Sequence, residues 1–445
     1  MAEKLFGTDG VRGVAGTRPL DPTTVARLGA AVVRALSLDR PARLLVGRDT
    51  RESGEWIERE LARGAGSQGA TVTSTGVIPT PAIAYLTRTM DIDLGVVISA
   101  SHNPFHDNGI KVFSGRGEKF GEATERAIEA IVADASWQVP SSAEAHVVQA
   151  DLRTPYLDHA RALLPDVGAL AGARIALDMA NGATTTTAEE LFGSFGFAIE
   201  TLGNRPDGRN INHACGSTHP AGLAATVVEQ GCRLGAAFDG DGDRVILVDH
   251  KGRVVDGDAV LLMLALHHQR LGTLAGNTVV ATVMSNIGLE IALRDRGIAL
   301  VRTPVGDKYV SEEMLRSGFV IGGEQSGHVI LAEHLFTGDG MATALAVLRV
   351  MAETGRELAD LAADLQTFPQ TLVNVRVKSK VDVATVPEIA EAMGRVEHAL
   401  AGRGRLLVRY SDTEPLLRIM IEGENQATVQ AWAEEIAEAV RMTIA

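Results

Sequence analysis

One serine in the sequence lies where a nucleophile or a phosphate carrier would be expected. The apolar, β-branched run from Leu94 to Ile98 predicts a short buried strand, and it leads directly into small and polar residues that end at Pro104. Ser101 therefore lies on a loop at a strand end, with His102 beside it and Lys111 further along the chain. Such a serine can carry a phosphoryl group, but taken alone it is more often a turn residue that hydrogen-bonds its own backbone.

Three aspartates alternate with glycines in the stretch DGDGDR, residues 239–244, between two apolar runs. Carboxylates at alternate positions of a loop that glycines allow to curl can converge on one hard cation, so we predict a metal site at Asp239, Asp241 and Asp243. A calcium EF-hand is excluded because Arg244 and His250 stand where glycine and glutamate are required. A phosphatase that uses Asp239 as its nucleophile is a second interpretation of this loop.

A third polar loop, residues 322–328, lies between the apolar runs 319–321 and 329–331. Its Glu324, Ser326 and His328 offer donors and acceptors that match sugar hydroxyls and an amine, and His328 can titrate near neutral pH. A second polar turn, residues 303–308, lies just upstream. The pattern is consistent with a sugar-binding region.

A fourth polar stretch places Arg409 and Arg418 around Ser411 and Thr413. Two guanidinium groups can make forked hydrogen bonds to one phosphate, while hydroxyls and backbone amides fill its remaining acceptor positions. We therefore predict that Arg409, Ser411, Thr413 and Arg418 bind a phosphate group. A single arginine would not support this interpretation, but the cluster does.

The elements that must position these loops repeat along the chain. An apolar run, a small polar turn containing glycine and an apparent helix occur at residues 44–54, 175–183 and 279–288. Spacings of roughly 100 to 130 residues are typical of repeated domains, because solenoid repeats are only about 20 to 50 residues long. Strands that alternate with helices predict α/β layers with mixed or parallel sheets.

The C-terminal part of the chain follows another pattern. Residues 373–377 alternate like a half-exposed strand, and a helix follows with Ile389 and Val396 on one face, before further strands and a final helix. These patterns predict repeated α/β domains with mixed or parallel sheets, followed by a small C-terminal α+β domain of about 75 residues. The predicted domains are residues 1–152, 153–254, 255–368 and 369–445.

Composition excludes several classes of partner. The formal net charge of -14 argues against nucleic acid or an anionic membrane surface as a partner, because both require a basic face. Cys215 and Cys232 are too few for a disulfide framework, so we expect structural roles for both and a reducing, cytoplasmic location. The N-terminus has no apolar signal core, and the longest apolar run, residues 259–266, is far shorter than the roughly 20 residues of a membrane span.

Taken together, the four motifs resemble the signature loops of the α-D-phosphohexomutase superfamily. In chain order they are SASHNP around Ser101, DGDGDR, GEQSGH at residues 323–328 and RYSDTEP at residues 409–415. The N-terminal FGTDGVRG segment, Gln325 and the CGSTHP segment are similar to those of bacterial members that act on glucosamine phosphates. The resemblance covers essentially the whole chain, with one loop in each predicted domain.

The resemblance implies an α/β fold with three similar α/β/α mixed-sheet domains and a smaller C-terminal α+β domain around one central active-site cleft. It implies further that Ser101 is a phosphoserine. It also implies one Mg2+ ion per chain, held by the three loop aspartates and an oxygen of phosphoserine 101. Lys111 and His328 match family positions for acid–base work, and we expect Lys111 before His328 to move the hydroxyl proton. Arg244 is expected to stabilise the transferring phosphoryl group.

We expect the sugar to be held by residues of the third domain, namely Glu324, Ser326, Thr303 and Gly306. The fourth loop departs from the family pattern at one position. Asp412 stands where the family usually has glycine, and a carboxylate in a phosphate-binding loop must point away or be neutralised by an arginine.

The implied reaction interconverts glucosamine 6-phosphate and glucosamine 1-phosphate, and its product supplies UDP-N-acetylglucosamine and cell-wall synthesis. The expected ligand is a small phosphorylated amino sugar, with glucosamine 1,6-bisphosphate as intermediate and activator, and a homodimer is the assembly we expect if the chain self-associates. Three alternatives stay open: a phosphomannomutase or phosphoglucomutase of the same superfamily, a hydrolase that uses Asp239, and a non-catalytic sugar-phosphate sensor.

Overall fold

The computed structural model of the chain describes residues 4–411 and 415–445. The chain divides into two compact units. The first contains the residues up to Met284 together with Ile298–Asp364, and the second contains Ser285–Gly297 together with Leu365–Ala445. The predicted third domain therefore contributes two short segments, Ser285–Gly297 and residues 365–368, to the second unit.

The first sheet of the first unit is mixed. Its strands are β1 (Phe6–Gly7), β2 (Gly10–Val14), β3 (Arg43–Arg48), β4 (Thr71–Val77), β5 (Leu94–Ile98), β6 (Asp107–Ser114) and β7 (Val147–Gln149). The helices of this part of the chain are α1 (Pro22–Leu36), α2 (Gly54–Gly66), α3 (Thr80–Thr89) and α4 (Glu122–Ala133). The strand order is β1-β2-β6-β5-β3-β4-β7, with β5, β3, β4 and β7 parallel and the β5–β6, β6–β2 and β2–β1 pairs antiparallel.

Helix α1 shows how local sequence sets these elements. The Asp21 carboxylate caps the helix by accepting the backbone N–H of Thr24 at 3.0 Å, and Pro22 occupies the first turn, where its missing N–H costs nothing. Leu28 and Val32 lie on the buried face, as the apolar spacing predicts.

The second sheet is also mixed and is formed by the next part of the first unit. Its strands are β8 (Arg174–Asp178), β9 (Ala198–Leu202), β10 (Leu234–Phe238), β11 (Val245–Asp249) and β12 (Val254–Val255), in the order β12-β11-β10-β8-β9. The helices are α5 (Arg153–Arg161), α6 (Ala188–Gly193) and α7 (Ala221–Glu229). Strands β9, β8 and β10 are parallel, and β11 returns antiparallel to β10.

The third sheet repeats this arrangement on a smaller scale. In chain order its region contains α8 (Gly257–Leu271), β13 (Thr278–Thr282), α9 (Ile287–Arg294), β14 (Ala299–Thr303), α10 (Asp307–Ser317), β15 (Ile321–Gly323), β16 (Val329–Leu331), α11 (Gly340–Thr354) and α12 (Leu358–Ala362). The sheet order is β14-β13-β15-β16, with β14, β13 and β15 parallel and β16 antiparallel to β15. Helix α9 belongs to the second compact unit.

Strand β15 begins later than the apolar run 319–321 indicates. It includes Gly322 and Gly323, which pair with Val280 and Ala281 of β13. A Cβ on Gly322 would lie 2.5 Å from the sulfur of Met314, so a side chain there would collide with helix α10. The glycines that suggest a loop are therefore strand residues that allow close helix packing.

The second unit contains a three-stranded antiparallel sheet. Its remaining elements are β17 (Gln370–Arg376), α13 (Pro387–Leu400), β18 (Arg405–Tyr410), β19 (Leu416–Glu422) and α14 (Gln426–Thr443), with strand order β17-β19-β18. The buried Glu422 pairs with Arg405 at 2.8 Å and accepts the backbone N–H of Ile287 at 3.2 Å. This contact ties helix α9 to the sheet.

The described residues confirm the predicted fold class. The first, second and third sheets, each taken with its helices, are called the first, second and third layers below, and a smaller α+β unit follows. All four candidate loops connect two neighbouring antiparallel strands: β5 and β6, β10 and β11, β15 and β16, and β18 and β19. In the first three layers this hairpin occupies the same place, directly beside the parallel strands. Among the described helices, none is long and apolar enough to cross a membrane.

Candidate active site

Ser101 lies at the tip of the β5–β6 hairpin and is 1% exposed. Its backbone is in the left-handed region at φ +54°, which is uncommon for a residue with a side chain. Its Oγ donates a hydrogen bond to Oδ2 of Asp239, and its backbone N–H donates to Ser99 Oγ at 2.9 Å. The structure thus joins the predicted phosphate carrier to the predicted metal loop.

The two loops approach each other so closely that only glycine fits between them. A Cβ on Gly240 would lie 2.5 Å from the carbonyl oxygen of Ser101, and one on Gly182 would lie 2.3 Å from the carbonyl oxygen of Gly240. Gly242 has φ +75°, which favours glycine on conformational grounds as well. These glycines therefore allow both the curl of the metal loop and its contact with the serine loop.

The three loop aspartates converge as their spacing predicts. One carboxylate oxygen from each of Asp239, Asp241 and Asp243 lies within 4.8 Å of the others, and all three side chains are buried. The Oδ1 atom of Asp241 is buried and accepts no hydrogen bond from any described residue, which is costly without a cation. The all-oxygen donor set fits a hard divalent ion such as Mg2+.

Lys111 lies among these carboxylates. Its Nζ is 2.8 Å from Oδ2 of both Asp241 and Asp243 and 2.9 Å from Oδ2 of Asp9. Burial by itself lowers the pKa of Lys111, but the three carboxylates raise it more, so the net pKa lies well above the usual value. Lys111 is therefore a buried ammonium group that balances the acidic loop.

The surroundings shift the pKa values of Asp239 and Asp243 in opposite directions. Burial raises the pKa of Asp239 well above its usual value, and the neighbouring Asp243 and Asp241 raise it further. Burial also acts to raise the pKa of Asp243, but Lys111 and His328 lower it more, so its net pKa lies well below the usual range. Of these two carboxylates, Asp239 is therefore the one that a further cation would stabilise more.

Arg244 and His102 complete the surroundings of Ser101. The backbone N–H of Arg244 donates to Asp239 Oδ1 at 3.1 Å, and its Nη1 lies 3.2 Å from His102 Nδ1. The same His102 nitrogen lies 3.3 Å from Ser101 Oγ. Burial and the Arg244 charge lower the pKa of His102 to about 4, so the imidazole is neutral near pH 7.

The predicted sugar-binding loop, residues 322–328, closes the β15–β16 hairpin and contacts the second layer. It is called the sugar loop below. The backbone N–H of Gly306 donates to Glu324 Oε1 at 3.3 Å, so two predicted sugar-binding residues lie together. Ser326 is exposed, and its Oγ lies 3.4 Å from Glu324 Oε2. Thr303 is buried, and its hydroxyl donates to the carbonyl of Pro304 at 3.1 Å.

Gln325 has a structural contact. Its Nε2 donates at 3.2 Å to Asp256 Oδ2, while Oδ1 of Asp256 caps helix α8 by accepting the N–H of Ala259 at 3.2 Å. The backbone of the same loop is bonded to the second layer, because Val245 N–H donates to Gly327 O at 3.1 Å. These bonds place the sugar loop next to the metal loop.

His328 is buried beside the metal loop, with Nδ1 3.5 Å from Asp243 Oδ1. The backbone N–H of Gly338 lies 3.0 Å from its Nε2, and the same nitrogen lies 3.3 Å from Asp307 Oδ2. Burial lowers the pKa of His328, but Asp243 and Asp307 raise it more, so the net pKa is raised. Both ring nitrogens are therefore engaged by protein groups.

The predicted phosphate-binding residues lie in the second compact unit. Arg409 and Arg418 are paired residues of β18 and β19, so their side chains lie on one face of the sheet. Ser411 is buried, and its carbonyl accepts Lys380 Nζ at 2.7 Å, a cation that sequence reasoning missed. Thr413 and Asp412 lie outside the described residues.

Sequence reasoning missed several residues that hold the serine loop. The buried Arg51 donates to the carbonyl oxygens of Ser101 at 2.9 Å and Pro104 at 2.8 Å, and Asp49 balances its charge at 2.9 Å. Both follow strand β3, which neighbours β5, so their strand-end position is a usable signal. Asn212 also contacts the Ser101 carbonyl, but no local pattern marks it.

Asp9 was missed as well. It pairs with Arg12 at 2.5 Å, with Lys119 at 2.5 Å and with Lys111 at 2.9 Å, and Lys119 also pairs with Asp307. The N-terminal FGTDGVRG segment supplies this aspartate, which links three cations around the metal loop.

Cys215 provides a test of its predicted structural role. Burial and the nearby Asp178 raise the pKa of the Cys215 thiol from 9.0 to about 11. At pH 8 the thiolate fraction should therefore be about 100-fold lower than for an unshifted thiol, because each pKa unit changes it tenfold. Iodoacetamide should alkylate Cys215 correspondingly slowly in the folded protein and much faster in urea, as followed by peptide mass mapping. Equal rates in both states would contradict a structural role.

Comparison with family models matches four consecutive segments of the chain. Residues 3–139, 154–252 and 256–368 match the alpha/beta/alpha domains I, II and III of phosphoglucomutase/phosphomannomutase, and residues 372–439 match the C-terminal domain of the same family. The matched segments together span most of the chain in the family's own order.

Curated relatives match over nearly the full length. A phosphoglucosamine mutase from Syntrophotalea carbinolica is 46% identical over 99% of this chain and 98% of its own. One from Moorella thermoacetica is 49% identical over 96% of this chain and 97% of its own. One from Pseudomonas paraeruginosa is 45% identical over 99% of both chains.

Solved structures share the fold at low sequence identity. A phosphoglucomutase/phosphomannomutase family protein from Burkholderia thailandensis superposes with a TM-score of 0.80 at 22% identity and covers 99% of this chain and 98% of its own. An Aspergillus fumigatus N-acetylphosphoglucosamine mutase in complex with GlcNAc-6P and magnesium has a TM-score of 0.67 at 17% identity, covering 98% of this chain and 95% of its own.

Proposed function

The chain belongs to the phosphoglucomutase/phosphomannomutase family, and from that premise we propose that it interconverts glucosamine 6-phosphate and glucosamine 1-phosphate. Its full-length relatives are phosphoglucosamine mutases, and the enzyme is an isomerase of the phosphohexomutase class. Among the family's substrates, the amino sugar is favoured because relatives at 44–49% identity carry this name.

The observation that supports the chemistry best is the hydrogen bond from Ser101 Oγ to Asp239 within the aspartate cluster. It places a buried hydroxyl beside a group of carboxylates that fits a divalent cation. That combination suits phosphoryl transfer, which depends on positioning and charge neutralisation more than on covalent help. It therefore supports Ser101 as the phosphate carrier.

In the proposed cycle, Ser101 begins as a phosphoserine. The bond between phosphorus and Oγ breaks as a bond to O1 of glucosamine 6-phosphate forms; O1 gives up its proton and Oγ takes one up. The product, glucosamine 1,6-bisphosphate, then turns within the site. The bond between its 6-phosphoryl group and O6 breaks as the bond to Oγ forms; Oγ gives up its proton and O6 takes one up, which releases glucosamine 1-phosphate and restores phosphoserine.

The triad would hold one Mg2+ ion through Asp239, Asp241 and Asp243, with a phosphoserine oxygen as a further ligand. When bound, the ion would neutralise charge on the phosphoryl group. The protein residues around it have complementary roles. Arg244 is expected to stabilise the transferring group, and Lys111, which lies among the loop carboxylates, is the first candidate to move the hydroxyl proton, before His328.

Substrate comparison tests the proposed function. With equal Mg2+ and a catalytic amount of sugar bisphosphate, we expect kcat/KM for glucosamine 6-phosphate to exceed that for mannose 1-phosphate and glucose 1-phosphate by roughly tenfold or more, since a site built for polar groups discriminates strongly. A preference for either neutral sugar would instead favour a phosphomannomutase or phosphoglucomutase. Binding without turnover by the phosphorylated enzyme would indicate a sugar-phosphate sensor.

Metal dependence is a separate expectation. Asp241→Asn should weaken Mg2+ binding, measured by titration calorimetry without substrate, by roughly 10- to 100-fold, because it removes one of three charged ligands. The exposed Asp295 offers a matched control, and Asp295→Asn should bind Mg2+ as the unsubstituted protein does. Equal affinity in both variants would contradict the assignment of the triad.

We further propose a cytoplasmic enzyme that acts on a small phosphorylated amino sugar, with glucosamine 1,6-bisphosphate as its intermediate. Solved family members bind related molecules, since one is described in complex with GlcNAc-6P and another with glucose 1,6-bisphosphate. The free thiols of Cys215 and Cys232 agree with a reducing compartment. A homodimer is the assembly we expect if the chain self-associates.

A further inference from the structure

We propose that Asn212 is a positioning residue for phosphoryl transfer at Ser101, an inference that rests on the proposed function. Asn212 lies in the loop after β9, in the second layer, whereas Ser101 lies in the first. Its Nδ2 donates to the carbonyl oxygen of Ser101 at 2.9 Å and lies 3.2 Å from that of Asn103. The side chain therefore crosses between layers and holds the serine loop by its backbone.

The contact is buried and rigidly supported. Asn212 is 8% exposed, and its backbone N–H donates to the carbonyl of Ala180 at 2.9 Å, next to the end of β8. The adjacent Asn181 reinforces the same loop by donating from Nδ2 to the carbonyl of Asn210 at 3.3 Å. The amide of Asn212 thus reaches Ser101 from a base fixed to the second sheet.

The backbone conformation of both partners is uncommon. Ser101 has φ +54° and Asn212 has φ +58°, both in the left-handed region. Residues with side chains seldom adopt this conformation, although asparagine does so more readily than serine. Both partners of this hydrogen bond are held in the same uncommon conformation.

Asn212 differs from the other links to Ser101 in how it responds to phosphorylation. An esterified Oγ has no proton, so the hydrogen bond from Ser101 Oγ to Asp239 is lost in the phosphoserine form. The bond from Asn212 uses the backbone carbonyl and does not depend on the state of Oγ. Arg51 binds the same carbonyl, but it belongs to the first layer and cannot fix Ser101 relative to the second.

It follows that Asn212 keeps the phosphoserine in register with the second layer, which carries the metal loop, during both half-reactions. In-line transfer requires such register, because a displacement of about 1 Å can lower the rate by roughly 100-fold. The residues predicted to hold the sugar belong to other loops. Loss of the Asn212 amide should therefore lower kcat and leave substrate binding nearly unchanged.

The test compares Asn212→Asp and Asn212→Gly with the unsubstituted enzyme, using fully phosphorylated protein, glucosamine 6-phosphate and Mg2+. The aspartate keeps the shape but replaces the donor by an acceptor, and the glycine removes the donor while favouring positive φ. We expect kcat and the single-turnover rate of phosphoryl transfer from Ser101 to fall roughly 10- to 100-fold in both variants, with KM within about twofold.

Asn210→Asp is the matched control, because Asn210 lies in the same loop and its side chain donates to the carbonyl of Arg205 rather than to the serine loop. It should retain the unsubstituted kcat. The proposal is overturned if either Asn212 variant keeps kcat within twofold, if KM rises while kcat is unchanged, or if Asn210→Asp loses as much activity. An unsubstituted enzyme inactive on glucosamine 6-phosphate would overturn the proposed function instead.

Discussion

Ser101→Ala is expected to abolish mutase activity, with kcat/KM for glucosamine 6-phosphate reduced on the order of 10^5-fold, as when a covalent nucleophile is removed. The substitution removes the only oxygen on this side chain that can carry the phosphoryl group. The substitution adds no volume and removes one oxygen atom from the buried Ser101, so the fold should remain intact. The measurement is a coupled assay of glucosamine 1-phosphate formation with Mg2+ and sugar bisphosphate.

Intact-protein mass spectrometry supplies the direct control for this result. The unsubstituted chain incubated with a sugar bisphosphate should gain one phosphate that maps to Ser101, and Ser101→Ala should gain none. Ser136→Ala, at an exposed serine far from the hairpin in sequence, should behave as the unsubstituted chain. Release of inorganic phosphate that survives in Ser101→Ala would support a hydrolase that uses Asp239 and would disprove the carrier role.

Among the substitutions proposed, Lys111→Met is expected to lower the free energy of unfolding most. The ammonium group contacts Asp9, Asp241 and Asp243 in the buried site, and methionine would leave these carboxylates without their shared cation. Removal of one partner from a buried ion pair typically costs about 3–5 kcal/mol of unfolding free energy. Urea unfolding of the metal-free protein, followed by circular dichroism, measures the loss.

Added Mg2+ should recover part of that stability, because a cation bound by the triad replaces some of the missing positive charge. Lys251→Met removes a lysine whose residue is exposed, and it should change the unfolding free energy by less than about 0.5 kcal/mol. Equal unfolding free energies for Lys111→Met and Lys251→Met in the absence of metal would show that Lys111 is not the counter-ion of the acidic loop.

Much of the fold follows from local sequence. The run 94–98 is entirely apolar and largely β-branched, so its burial as a central strand follows from composition alone. Helix α1 has its cap, its proline and its apolar stripe in the expected order. The convergence of the triad is also a local feature. The glycines that alternate with the aspartates allow the six-residue loop to curl, and this brings the three carboxylates close together.

The contacts that complete the candidate site are not local. Asn212 and Ser101 are 111 positions apart, and no periodicity or motif links a loop asparagine to a distant backbone carbonyl. Asp9 was missed for the same reason, since its partners Lys111 and Lys119 come close only through pairing of β2 with β6. Helix α9 is likewise joined to the second unit by Glu422, which accepts the backbone N–H of Ile287. The sequence around Glu422 gives no sign of this contact.

In the hairpins that carry the candidate loops, backbone hydrogen bonds set the register of the strands, whereas the side chains of the loops do not. In the third layer, pairing of Gly323 with Val329 is made by backbone atoms, and the loop between them closes through the Glu324 N–H to His328 carbonyl bond at 2.9 Å. The side chains of Glu324 and Ser326 can therefore change while the strands keep their register. At these two predicted sugar-binding positions, selection for another sugar can act without a change in strand pairing.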